Sequence, residues 1–474
     1  MILFLVSSAL ATPRTCFTME MMPYTQQDLR STFPVSRSSK EQRDAYGLPN
    51  VVLSDNFALR WGDDLFIGES QSQMLIDELE NVWKFQINEM NFPAPYGTDS
   101  HLFNIYLGDS GSGAPSAYGN SGYYSVDNDG WPMIVLNQMI LDSSADQHGV
   151  LPHEFFHAVQ HACETYDYLG DGAWYWEATA MWIESQIYPN LAEYAVFLFG
   201  FAFRPHFSMS FFDYPDTGSL QEFYQYGAFV FPKFLTDFWL EPSVVRDSWV
   251  EGGSSPLAYL ADIFEQDGIS FGAVMGEFAA RNAFWDYPDQ DWYLYYLDYY
   301  ADAYRTDDLR VAAEVYAGGA SDWKEPPRET LPERYGYNHI RLTSPTVPEL
   351  VFSFEGDGFG SANSPSSWSV TVVQARADSY TYHPMTLADN AGNLVVSDLT
   401  AADTLILSVL PWTDQEKERE TFAYRYKITP PKEPPEESIV KEQQDCGCAT
   451  ASKSHKWLLV VTAFGLLRRR SRLL

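Results

Sequence analysis

Two histidines four residues apart, His153 and His157, stand in the run Leu151-Pro152-His153-Glu154-Phe155-Phe156-His157-Ala158-Val159-Gln160. On a helix, positions i and i+4 share a face, so both imidazoles can present a nitrogen to one point. Zinc accepts such nitrogens at about 2.0–2.1 Å. Glu154 sits one position on, where its carboxylate can reach a water on the metal without itself becoming a ligand. Zinc brings such a water toward a pKa of about 7, and a nearby carboxylate can take its proton and hand it to a leaving amine.

A catalytic metal site needs a third protein ligand and one open position. The run Ala173-Trp174-Tyr175-Trp176-Glu177-Ala178-Thr179-Ala180-Met181-Trp182-Ile183-Glu184 supplies the candidate, Glu177, 20 residues after His157. Its small neighbours Ala178 and Ala180 allow close packing on the first helix, and two antiparallel helices joined by the 164–172 loop can bring Glu177 to the histidine pair. His161, at i+8 from His153, lies about 6 Å further along the axis than His157 and is expected to be a partly exposed helix histidine rather than a ligand. Glu184 lies on a face similar to that of Glu177. It either supports a ligand or ends the helix at the surface. Pro152 directly before His153 requires the helix to start near Val150.

This arrangement, HExxH and then a helix bearing a glutamate, resembles the gluzincins, the thermolysin-like peptidases. HEFFHAVQ with WxxEATAxWxE is also similar to a group of bacterial zinc metalloproteases. The resemblance spans roughly 51–310. It implies a hydrolase acting on a protein or peptide substrate, with Zn2+ held by His153, His157 and Glu177 and with Glu154 as general base. It further implies a Tyr or His from a later helix facing the oxyanion. Tyr226 is the candidate and Tyr224 the runner-up. The sequence departs from the pattern at Met181, where these peptidases place an aspartate four residues after the ligand glutamate to orient a zinc histidine. An orienting partner must then come from elsewhere, Asp171 being one guess. That departure keeps an alternative open: a catalytically silent surface binding or adhesion protein on the same fold.

The elements that must hold these residues read as α+β. Residues 51–61 read as a strand, 70–90 as a helix with Leu75, Leu79, Val82, Trp83, Ile87 and Met90 at helical spacing, and 102–107, 122–126 and 132–137 as strands. From about 146 to 310 the pattern is helical and aromatic. After Pro332, short strands at 350–354, 367–375, 393–397, 404–409 and 421–428 read as an all-β sandwich. The expected organisation is therefore a thermolysin-like zincin catalytic domain over 51–325, a small sheet plus a helical subdomain, followed by a β-sandwich accessory domain over 332–429. The acidic loops Asp127-Asn128-Asp129-Gly130 and Asp167–Gly172 are candidates for Ca2+, although neither matches an EF-hand and plain turns explain them better.

The net charge of −34, from 64 acidic and 30 basic residues, repels nucleic acid and anionic lipid surfaces, so no nucleic-acid partner is expected. Four cysteines in 474 residues do not make a disulfide framework, although Cys16 and Cys163 could pair outside the cytoplasm. Both ends look like addresses. Residues 1–11 resemble a secretory signal peptide, with Ala9 and Ala11 spaced as at a cleavage site, and 12–50 read as a linker or short propeptide. Residues 430–444 form a Pro- and Glu-rich linker. Residues 445–474 carry Cys446 and Cys448, an apolar run from Trp457 to Leu467 and then Arg468–Arg470. That order resembles the MYXO-CTERM sorting tail of myxobacterial surface proteins. The resemblance implies export, secretion or display at the cell surface, transient membrane anchoring through the tail, and sorting and processing machinery as partners.

Overall fold

A computed structural model describes residues 40–118, 121–142, 144–168, 170–213, 220–304, 313–316, 322–377 and 379–431. The expected signal peptide, most of the 12–50 linker, Cys16 of the possible Cys16–Cys163 pair and the sorting tail lie outside the described residues. The chain divides into Met1–Pro431 and Lys432–Leu474, and every described residue belongs to the first unit.

Residues 51–61, expected as one strand, form a hairpin. β1 (Asn50–Leu53) turns at Ser54–Asn56, where the Ser54 hydroxyl accepts from the Phe57 amide, and pairs antiparallel with β2 (Phe57–Trp61). α1 (Glu69–Trp83) buries Leu75, Ile76, Leu79 and Val82 on one face and runs on as a π-helical turn, Lys84–Glu89. It stops ahead of Pro93, as the prolines at 93 and 95 require. β3 (Phe103–Leu107), β4 (Gly122–Val126) and β5 (Pro132–Leu136) complete a five-stranded sheet in the order β1-β2-β3-β5-β4. Its three inner strands are parallel and both edge strands antiparallel. Residues 40–50 are not a bare linker at this end: Glu41 bridges to His101, and Leu48 is buried against Tyr106 and Tyr123.

Two helices follow on the sheet. α2 (Ser144–Cys163) carries the HExxH run and α3 (Ala173–Ile187) carries Glu177. The helix starts well before Val150, so Pro152 lies inside α2 rather than in its first turn. The proline has no N–H to give the preceding turn, and its own carbonyl accepts from Gln86 Nε2 of the π-helical turn at 2.8 Å. The helical half continues through α4 (Leu198–Ala202), α5 (Tyr224–Gly227), α6 (Val230–Phe238), α7 (Ser243–Glu251), α8 (Pro256–Gln266), α9 (Phe271–Arg281) and α10 (Gln290–Tyr304). A single aromatic-rich core joins it to the first sheet.

The C-terminal strands form two sheets. β6 (Ala313–Tyr316), β7 (Asn338–Thr343), β9 (Ser367–Arg376), β10 (Ser379–Pro384) and β12 (Thr404–Trp412) make one, in the order β10-β9-β12-β7-β6. β8 (Leu350–Gly356), β11 (Ala391–Val396) and β13 (Tyr424–Thr429) make the other, in the order β11-β8-β13. Phe352, Val372, Leu407 and Ile428 meet in the core between them. β6, β7 and β10 add to the strands expected from sequence. β6 pairs parallel with β7, so this sheet begins upstream of residue 325. Its outer face rests on α9, where Ala280 packs with Val373 and Ile406. The approach is close because α9 carries glycines there: a Cβ on Gly272 would stand 2.3 Å from the Trp412 ring, and one on Gly276 would stand 2.5 Å from Ser369 Cβ.

Candidate metal centre

The two phenylalanines of HEFFH set the rotation of α2. Phe155 points into the sheet side, with its ring 5.3 Å from Phe57 and 5.6 Å from Phe103, while Phe156 packs edge-on against Phe92 at 5.0 Å. Burying these two rings turns His153 and His157 toward α3. α3 is buried on every face from Ala173 to Ser185, with Ala178 and Ala180 fully enclosed. Its contacts with α2 run in reverse order, Gln160 to Trp176 and Thr179 but His153 to Glu184, so the helices are antiparallel, as the short connection requires.

One ligand atom each from His153, His157 and Glu177 lies within 4.8 Å of the other two. Glu177 Oε2 stands 3.1 Å from His153 Nε2 and 3.6 Å from His157 Nε2. Donors held about 2.0–2.1 Å from one tetrahedral cation are about 3.3 Å apart, so both distances are of the size such a cation imposes. Glu177 Oε1 is buried and meets no hydrogen-bond donor among the described residues. A buried carboxylate oxygen left without a partner is costly, and an ion is one of its ordinary explanations. Two nitrogens and a carboxylate oxygen, buried and converging, are a donor set that suits a divalent first-row metal with one position open.

The outer nitrogens are tied down as well. His153 Nδ1 bonds Glu184 Oε1 at 3.0 Å, and His157 Nδ1 bonds Gln160 Oε1 at 2.7 Å. Gln160 in turn donates to the Trp176 carbonyl at 2.8 Å and to Thr179 Oγ1 at 2.9 Å. Both rings thus have their Nε2 directed at the cluster, the arrangement by which outer partners orient metal-binding imidazoles. Burial pulls the His153 pKa down, but its hydrogen bonds to Glu177 and Glu184 and the neighbouring carboxylate charges reverse this and lift it to about 10. Burial pushes the Glu177 carboxyl up, yet the two histidines beside it hold it at about 2. The cluster therefore draws positive charge into the protein interior, and in the absence of any other cation a proton on His153 supplies it.

Glu154 is 1% exposed and lines a cavity of about 20 Å³ together with His153, Glu184 and Tyr226. That is room for about one water molecule. β4 lies close by: a Cβ on Gly122 would stand 3.4 Å from Glu154 Cγ. The Tyr226 ring stacks on His153, 6.3 Å between centroids with 20° between planes. Tyr224 faces away, and its hydroxyl donates to the Ser208 carbonyl at 2.9 Å.

Several expectations change here. His161 is not partly exposed. It is 2% exposed, and its Nδ1 bonds the Tyr124 hydroxyl of β4 at 2.6 Å. Burial lowers its pKa to about 4, which keeps it neutral. Glu184 is the orienting partner and does not end at the surface, whereas Asp171 lines a separate cavity with Glu333 and Lys417. Gln160 had no expected role. Its spacing of three from His157 was the available signal, since i and i+3 are helix neighbours. The Asp127 loop is built as a turn. Asp127 Oδ1 accepts from the Asp129 and Trp131 amides at 2.9 Å, and Arg43 pairs with both aspartates, so an arginine already neutralises the oxygens proposed for calcium.

A family described as "Family of unknown function (DUF6055)" matches residues 24–429, and the chain belongs to that family. The match takes in the helix pair with its cluster and both C-terminal sheets. No curated protein matches the chain.

Proposed function

We propose that this family member is an exported zinc-dependent endopeptidase whose catalytic part is a thermolysin-like zincin, with the β-sandwich over 332–429 as a substrate- or surface-binding accessory. One observation carries the reading: His153, His157 and Glu177 converge in a buried cluster whose remaining carboxylate oxygen has no partner among the described residues. A core without a ligand gains nothing from an imidazole pair and an unpaired carboxylate oxygen enclosed among tryptophans.

His153, His157 and Glu177 would hold the metal. When bound, zinc supplies a Lewis acid and brings a water's pKa toward about 7. Glu154, at the wall of a cavity with room for one water, would serve as the general base toward that water and would hand the proton to the leaving amine. Tyr226 lines the same cavity and donates to the developing oxyanion. Glu184 and Gln160 fix the imidazole orientations through the reaction. With Glu184 bonded to His153, Met181 no longer speaks for a silent fold, because the orienting carboxylate has moved three residues along the helix. Export rests on the two terminal segments read in the sequence. Among the described residues no helix is long and apolar enough to cross a membrane.

The test is elemental analysis and protein hydrolysis by the full chain beside Glu154→Gln. The expected result is about one zinc per chain in both, with casein hydrolysis lowered by about 10²–10⁴-fold in the variant. A wild type that binds zinc and cuts nothing would instead favour the binding or adhesion protein.

A further inference from the structure

One face of α10 (Gln290–Tyr304) is fixed to the core and the other is open. Tyr293, Leu297 and Tyr300 are buried. The Tyr300 ring lies on Phe199 of α4 with centroids 4.1 Å apart, and Tyr293 packs edge-on against Phe229. The start of the helix is held as well, since Asp289 pairs with Lys233 of α6 and accepts from the Tyr194 hydroxyl at 2.6 Å. The opposite face carries Trp292, Tyr295 and Tyr299, which are 47%, 55% and 38% exposed. Single exposed rings are ordinary, but three in a row on one anchored helix make a patch, and patches of this kind mark binding surfaces.

The row has a spacing and a charge. Positions i, i+3 and i+7 rise by about 4.5 and 6 Å along the axis, and the Trp292 and Tyr295 ring centroids are 6.4 Å apart. Asp291 and Asp298 are exposed. They stand four residues before and three after Tyr295, which makes both of them helix neighbours of that ring. The segment Gln290–Tyr304 contains no Lys, Arg or His. An aromatic face attracts a cation placed over it, most strongly at Trp, and a carboxylate at its side adds to the pull. A guanidinium uses both features, because it stacks flat on a ring while its edge donates to a carboxylate. In an extended peptide every second side chain points the same way, about 6.7 Å apart, which is close to the ring interval. A neutral glycan would use the rings and gain nothing from the charge of the carboxylates, and an anionic partner is repelled by the net charge of −34. We propose that the Trp292–Tyr295–Tyr299 face of α10 is a docking surface for an extended segment of another protein with arginine at alternate positions.

The test measures binding to the full chain. A peptide of about eight residues that alternates arginine and serine is titrated by calorimetry at about 0.15 M salt, where long-range attraction is screened. Saturable binding is expected, weakened about tenfold in the double variant Trp292→Ala/Tyr295→Ala and about fivefold in Asp291→Asn/Asp298→Asn. Hydrogen exchange with the peptide bound should show new protection at Gln290–Tyr304, and this measurement decides alone should the ring variant fail to fold. Equal affinity in the ring variant, or protection spread over the whole acidic surface, would mean that net charge alone holds the peptide, and would overturn the proposal. So would binding of cellohexaose at the rings in place of the peptide, or a dimer of the full chain that the ring variant dissolves. Neither zinc nor cleavage enters these readouts, so their outcome is independent of the peptidase reading.

Discussion

The helix pair and the C-terminal sandwich both bury carboxylates, and they treat them differently. In the sandwich, Asp403 is held by Arg376, whose Nε donates at 2.6 Å and Nη2 at 2.8 Å, and by the Thr400 amide at 2.7 Å. At the surface, Arg425 pairs with the exposed Glu355 across the β8–β13 ladder. Asp403 closes a turn with a cation of the chain itself as its partner, whereas the buried Glu420 takes the Ala362 and Ser364 amides on Oε1 and, like Glu177, keeps an oxygen without a hydrogen-bond partner among the described residues. In the helix pair, Glu177 pairs with both imidazoles and Glu184 with that of His153, and Glu177 keeps an oxygen with no donor among the described residues. The difference lies in what faces the carboxylate: an arginine or backbone amides in the sandwich, and in the helix pair two imidazoles, a donor set that a divalent cation can share.

This contrast is open to direct test. The largest effect is expected from Glu177→Gln. Removing the charged ligand should take zinc from about one per chain to near zero in equilibrium dialysis, while circular dichroism retains the helical signal. Retention of zinc in that variant would erase the distinction between the two regions. Phe352→Ala in the sandwich should do the reverse. Phe352 is 0% exposed, and its truncation should cost about 3–5 kcal/mol in denaturant unfolding with zinc per folded chain unchanged.

A third prediction concerns acid. His161 has a pKa of about 4 in the folded chain against about 6.5 unfolded. The unfolded state binds the extra proton, so the stability tied to neutral His161 is complete above about pH 6.5. It is lost progressively as pH falls toward 4, by about 3 kcal/mol in all. His161→Gln should flatten that part of the stability profile measured by urea titration at several pH values. An unchanged slope would mean that His161 is not held neutral. The smallest effect is expected from Glu184→Gln, which keeps the shape and removes the charge behind His153. Zinc affinity should fall about 10–100-fold, with thermal unfolding of the metal-free protein little altered.

Legibility from sequence followed the same division. The sandwich could be read because its strands alternate: β8 and β13 bury every second residue, and period-two burial is what alternating hydrophobicity reports. β10 escaped because it is a polar edge strand whose side chains stay partly or fully exposed. β7 escaped because its Asn338 and His339 are buried polar residues, with Asn338 bonded to the Tyr424 hydroxyl and His339 to the Ala279 carbonyl. α3 showed no useful periodicity, being enclosed on all faces, and its function could be read only from the spacing of Glu177. Pro152 misled about where α2 begins because the turn before it is held by tertiary contacts, among them Gln86 on the proline carbonyl.

The sequence by itself determined which groups could share a metal. The i, i+4 geometry of a helix is local, so His153 and His157 face one way wherever the helix lies, and the short 164–172 connection returns Glu177 to them. What orients those histidines, what the wall of the cavity is made of and how much room it leaves were decided only by the tertiary structure. Glu184, Phe197 and Tyr226 reach the site through helix rotation and the packing of distant segments, and no local rule of spacing carries that information.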